Sequence, residues 1–290
     1  QRQSNSPFSG MKIRDSQIGA PAVPNEDFSF ALAAMHQSQD NESAGARYTQ
    51  LQMNAQAAIS AMELYEAFGE TEYLSRGVSF ARILMACQAS AVDPSFSIPL
   101  RGYFYENETH ERIQTYYHRS YEHAPIKAFA MLYRLAPEHE DAARWKNSLE
   151  LYREYVALTS RTVPYGLLPN GIYELDNTDF STITHEGARA AGAPSLEEYN
   201  AQVRNGIRLN DRFYLRVFPV AYQFRGFHAT LMGRALAAME LARALNDREI
   251  KQVAVRQMEW ILGCNPFAVS SMYGRGTIII LFMRRCPRSL

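Results

Sequence analysis

Apolar residues recur at spacings of three and four through this chain, in paired segments joined by very short turns. That pattern constrains the fold most, because spacing near 3.6 puts those residues on one helical face. Leu51, Ala55, Ile59, Met62 and Tyr65 give a helix over 44–69. Gly69 closes it, and Thr71 is placed to cap a second helix running to about Ala91, with Leu74, Val78, Ala81 and Leu84 on one face. Pro125 fits the first turn of a third helix ending before Pro137, with Ile126, Phe129, Leu132 and Tyr133 as its stripe. A fourth runs from about Glu138 to Ser160 through Trp145, Leu149, Tyr152 and Val156. Gly226 to Leu245 carries Phe227, Leu231, Ala235, Ala238 and Leu241, and Asp247 can cap a helix bearing Ile250, Val253, Gln257 and Trp260.

Three helical hairpins result, with long connections between them at 93–118 and 161–224. The second connection holds a further short helix after Ser195, since Ser195 and Glu198 form a capping box. Residues 1–26 are polar and rich in Ser, Pro and Gly, and read as irregular. The expected fold is all-α. Its helical domain spans 27–276, with a short helix at 27–38, and an atypical tail occupies 277–290. Three consecutive isoleucines and an arginine-rich end fit that tail poorly to the preceding pattern. It reads as a truncation or reading-frame artefact, the alternative being a buried strand or helix.

Thirty basic and thirty acidic residues cancel, so no basic field favours nucleic acid or an anionic membrane. No apolar run is long enough for a membrane span. Cys87, Cys264 and Cys286 provide neither a disulfide framework nor metal-ligand spacing, and no nucleotide-binding glycine loop occurs. No metal or cofactor is expected. Aromatic residues make up 12% of the chain, which suits a sugar-stacking groove as well as a helical core.

The segments dense in chemistry lie on the long connections, where function concentrates. Tyr116 to His123 packs Tyr117, His118, Arg119, Tyr121, Glu122 and His123 just before a helix. Arg and His can hold sugar hydroxyls or a uronate carboxylate, Tyr can stack on a pyranose, and Glu122 can act as acid or base if its surroundings shift its pKa. A plain helix start with an acidic cap is the competing reading. Arg216 and Arg225 precede the fifth long helix and can face the same cleft, or pair with structural carboxylates. Asn265, in the turn Cys264-Asn265-Pro266, can bond backbone groups or sugar hydroxyls.

The run Trp260-Ile261-Leu262-Gly263-Cys264-Asn265-Pro266, with the loop ending Met272-Tyr273-Gly274-Arg275-Gly276, resembles the Leu-Gly-Asp-Asn-Pro segment of family-nine glycoside hydrolases. His118-Arg119-Ser120-Tyr121-Glu122-His123, Pro137 to Asp141 and Trp145, and the segments at 203–207, 214–219 and 224–226, resemble the large bacterial branch of that family. The resemblance covers about 45–276. It implies an (α/α)6 toroid, of which about three hairpins are readable here, and inverting hydrolysis of a β-linked poly- or oligosaccharide. It also implies substrate contacts from Tyr117, His118, Arg119, His123, Arg216, Arg225, Asn265 and Tyr273, and a secreted or periplasmic location. The catalytic candidates are Glu122 and Asp15. Asp15 lies in Arg14-Asp15-Ser16, not in the family's Asp-Ala-Gly-Asp pattern, and no Glu follows Glu259, so this chain is expected to lack both family carboxylates. A polysaccharide lyase or sugar epimerase on the same toroid, or a non-catalytic carbohydrate-binding protein, is the alternative.

Overall fold

The computed structural model describes residues 49–116, 121–177, 195–220, 226–272 and 278–279. Seven α-helices lie among them: α1 Gln50–Phe68, α2 Thr71–Ala86, α3 His123–Leu135, α4 Ala142–Thr162, α5 Leu196–Arg204, α6 Gly226–Leu245 and α7 Arg248–Leu262. The chain is mainly helical, as its apolar spacing predicts.

Local chemistry accounts for several of the helix ends. Thr49 and Gln52 form a capping box on α1, and Gly69 closes it in the left-handed region at φ 72°. Ser195 and Glu198 form the expected box on α5. The Asp247 carboxylate accepts from the Glu249 and Ile250 amides to start α7, which ends on left-handed Gly263.

Four boundaries differ from the sequence reading. Helix α1 starts at Gln50, not Ala44, because Thr49 takes the extended cap position. Thr71 is the first residue of α2 rather than its cap. The extended cap residue is Glu70, because the turn after Gly69 is only two residues long. The same helix stops at Ala86, not Ala91. Past Cys87 the backbone pairs elsewhere, with Ala89 N donating to Tyr103 O at 2.9 Å and Gly102 N to Ala89 O at 2.7 Å. The fourth helix starts at Ala142, because residues 137–141 form turns closed by His139 N to Ala136 O and Ala142 N to His139 O.

The first helices of the hairpins, α1, α3 and α6, form one row, with α3 packed between the other two. Helices α2, α4 and α7 pack behind them, each chiefly against its own hairpin partner or the row's centre. Trp145, Phe129, Leu51, Leu84 and Leu132 fill the space between the rows and are fully buried. The short turns at 69–70, 136–141 and 246–247 lie at one end. The described parts of the long connections, 87–116, 121–122, 163–177 and 195–220, and the loop 263–272 belong to the other.

Two small sheets on those connections are not visible in the apolar periodicity. Strand β1 (Gly171–Glu174) and β2 (Ile207–Arg208) flank β3 (Phe213–Arg216), all antiparallel. Strand β4 (Val269–Ser270) pairs in parallel with β5 (Ile278–Ile279). An apolar groove of about 470 Å³ runs between α6 and α7, lined by Met232, Leu236, Met239, Val255 and Met258. No described helix is long and apolar enough to cross a membrane.

Candidate functional site

Glu122 ends the first long connection and immediately precedes α3. It does not cap the helix with its side chain, contrary to the plain helix-start reading. The carboxylate turns inward and is buried. Tyr152 of α4 donates its hydroxyl to Oε1 at 3.1 Å, and the Arg234 guanidinium of α6 stands 3.9 Å from Oε2. Arg234 itself is 1% exposed and is held by backbone oxygens: Nη1 donates to Leu168 O at 2.6 Å and Nε to Thr230 O at 3.1 Å. The central helices thus bring a carboxyl, a guanidinium and phenols together in the interior, below the loop-bearing end.

Burial dominates the electrostatics. It pushes the Glu122 carboxyl up to about 7, against the opposing pull of the Arg234 charge and the Tyr152 hydrogen bond. The same desolvation holds the Tyr116 and Tyr152 phenols well above their ordinary range, helped by the nearby Glu122 charge. Beside Glu122 lies a cavity of about 20 Å³ walled by Tyr103, Phe104, Tyr116, Tyr155 and Asn170. Glu122 Oε2, Tyr116 Oη and Asn170 Oδ1 have no hydrogen-bond partner among the described residues. That volume admits about one water and no sugar ring.

A titration test follows. The folded state keeps the Glu122 proton up to about pH 7, whereas the unfolded chain releases it near the ordinary 4.5. Folding therefore takes up a proton between those values, and this group lowers stability as pH rises through that window. Glu122→Gln removes the dependence. The variant is expected to gain on wild type from about pH 4.5 to 7, by roughly 3 kcal/mol at the upper end. Urea denaturation of both at pH 5, 6 and 7.5 checks it, and parallel curves would refute it.

Within the predicted cluster, the described neighbours Glu122 and His123 diverge. Consecutive helical residues point about 100° apart, so His123 lines the apolar α6–α7 groove while Glu122 faces the interior. Asn265 spends its amide on the backbone. Nδ2 donates to Trp260 O at 2.9 Å and Val269 O at 2.8 Å, and Oδ1 accepts from the Phe267 and Val269 amides. Those four bonds use its two donors and both lone pairs, leaving no capacity for a sugar. Its role here is to shape the loop, whose Ser271 hydroxyl comes within 3.5 Å of His228 on the first turn of α6.

Arg216, at the end of β3, has its stem against Gly206. Burial pulls its pKa down while the Tyr173 phenol opposes this, and the group remains a guanidinium. Among the described residues it has no carboxylate partner, and its Nε is buried without a hydrogen bond. The structural-carboxylate reading thus finds no support there. Tyr117, His118, Arg119, Arg225, Tyr273 and Asp15 lie outside the described residues, as do the tail beyond Ile279 and the short helix expected at 27–38.

Arg234, Tyr152 and Asn170 were not singled out from the sequence. Arg234 carried a signal: it falls on the stripe Phe227, Leu231, Ala238, Leu241, where a charge needs an interior partner. Tyr152 read simply as an apolar member of its own stripe.

No protein-family model matches this sequence, and no curated protein matches it. Among solved structures, a polysaccharide lyase matches at 10% identity with a TM-score of 0.35, covering 84% of this chain and 57% of the lyase. The chain thus spans less than two thirds of that lyase. At such a score, the chemistry rests on the residues themselves.

Proposed function

We propose that this chain is part of a family-nine-like glycoside hydrolase, acting on a β-linked poly- or oligosaccharide held at the loop-bearing end. The three described hairpins are read as an arc of a larger (α/α) toroid. Hydrolysis rests on the resemblance of residues 260–276. Sugar recognition rests on Arg216: a half-buried guanidinium without a carboxylate partner among the described residues is costly unless a ligand satisfies it. Sugar hydroxyls or a uronate carboxylate meet that need.

In this reading Glu122 braces the interior through Tyr152 and Arg234 and does not touch substrate, since its cavity holds no more than water. A second reading, cleavage of a uronate-containing glycan by elimination, draws on the same arginine. Such a reaction needs a cation on the sugar carboxylate and a group to take the adjacent proton. Tyr173 lies near enough to Arg216 to influence its charge, but burial pushes its phenol up to about 12, which disfavours it as a base.

The test is product analysis on a panel of β-glucans and uronate-containing oligosaccharides, with this chain and with a version extended through its native flanking sequence. Release of saturated reducing ends supports the hydrolase. Ultraviolet-absorbing unsaturated ends support elimination instead. Arg216→Met is expected to leave Tm equal or higher while weakening glycan binding by about tenfold, the loss of one charge-assisted hydrogen-bonded contact. Unchanged affinity would remove the observation on which the reading stands.

A further inference from the structure

The turn after α4 carries an unusual residue in an unusual state. Tyr165 sits in the left-handed region at φ 63°, and Gly166 follows at φ 65°. A bulky aromatic side chain rarely adopts that backbone, which crowds its Cβ against the following carbonyl. The side chain gains little burial in exchange, since it remains 65% exposed.

The turn is nonetheless held firmly. Val163 and Leu167 on either side are buried. The fully buried Gln257 of α7 reaches across to it, donating from Nε2 to Gly166 O at 3.1 Å and accepting at Oε1 from Leu168 N at 2.8 Å. One side of the Tyr165 ring leans on Trp260, with centroids 5.4 Å apart and planes at 48°. Arg256 lies beside the turn, since a Cβ added at Gly166 would meet its Nη1 at 3.6 Å. Arg256 is exposed and has no carboxylate in ion-pair range among the described residues.

Strain that the surroundings enforce on an exposed aromatic is a recognised mark of function. A largely exposed ring that leans on a tryptophan, with a guanidinium beside its turn, has the chemistry of a sugar-stacking platform. We propose that Tyr165 stacks on a pyranose ring of a glycan chain, backed by Trp260, with Arg256 reaching the ring's hydroxyl or carboxylate substituents. This rests on the reading of the chain as glycan-processing and adds a subsite to it, separate from the interior Glu122 cluster.

The experiment is calorimetric titration of the full chain with cellohexaose and with a uronate-containing hexasaccharide. Tyr165→Asn is the central variant, because Asn tolerates left-handed backbone. It is expected to fold with Tm close to wild type and to bind about tenfold more weakly, whereas Tyr165→Phe keeps the ring and the affinity. Arg256→Met weakens the uronate ligand alone if the carboxylate is the group held, and both ligands if a hydroxyl is.

Trp145 and Trp260 are the two tryptophans, and Trp145 is fully buried. A saturable change in wild-type tryptophan emission on adding sugar, lost in Trp260→Phe, therefore supports the platform without relying on the Asn variant. Wild-type affinity in Tyr165→Asn, binding with unchanged Trp260 emission, or no binding of either sugar by wild type would overturn it. Sugar turnover with Tyr165-independent binding leaves the hydrolase standing and removes the platform. Tyr165-dependent binding without turnover, in the version extended through its native flanking sequence as well, keeps the platform and removes the hydrolase.

Discussion

Gly102→Ala is expected to abolish the folded state, or to lower Tm by more than about 10 °C, corresponding to at least roughly 4 kcal/mol. Gly102 lies at φ 86°, and a Cβ there would stand 1.9 Å from Leu151 O and 2.4 Å from Leu151 C. Those are backbone atoms in the middle of α4, so no side chain can swing aside. The glycine cannot retreat either. Its amide donates to Ala89 O at 2.7 Å, while Gln88 Nε2 donates both to Gly102 O at 3.1 Å and to Ser148 O at 3.0 Å. This locks the first long connection onto α4. Gly69→Ala is the control, because Gly69 has a similar φ of 72° but nothing within 4 Å of its added Cβ. Its cost is the left-handed strain alone, about 1–2 kcal/mol. Thermal denaturation of both variants separates conformational strain from collision. Equal losses would show that the contact with α4 is not as close as described.

Arg234→Ala is expected to cost about 3–5 kcal/mol, the range for removing one partner of a buried ion pair. Four groups lose their donor or countercharge together: Leu168 O, Thr230 O, Thr230 Oγ1 and the Glu122 carboxylate. Loss of the guanidinium also removes the main force lowering the Glu122 pKa, so that pKa rises further. The window in which folding takes up a proton then extends to higher pH, and the deficit against wild type grows as pH rises past about 7. Combining Arg234→Ala with Glu122→Gln is expected to recover part of the loss at high pH, since no charge is left stranded. Denaturation at pH 6 and 8 reads all of this. A loss under about 1 kcal/mol at both would mean that the interior pair is not as dry as its burial implies.

Much of the helical architecture was legible because helix chemistry is local. The stripe from Leu51 to Tyr65, the Ser195–Glu198 box and the Asp247 cap each depend on residues within a turn or two of one another. The end of α2 was missed for the opposite reason, since Ala89 finds its partners at Tyr103 and Gly102. The antiparallel sheet was missed likewise: Gly171 pairs with Arg216 across the length of the second connection, and strands of two to four residues leave little alternation to read.

The candidate site divides in the same way. Glu122 stood out because aromatic, basic and acidic residues crowd its stretch of chain, and Asn265 because it opens a turn. Neither spacing nor composition determined where their side chains point. One residue's step around α3 sends Glu122 inward and His123 into the α6–α7 groove. Packing of α4 and α6 against α3 supplies Tyr152 and Arg234, which stand 30 and 112 positions away in the chain, and desolvation there raises the carboxyl. By itself the sequence determined that the chain forms helical hairpins with chemically rich connections at one end, since hydrogen bonding within a helix and its apolar face are local properties. Only the tertiary structure decided which polar groups are buried together, because burial depends on contacts between helices far apart in the chain.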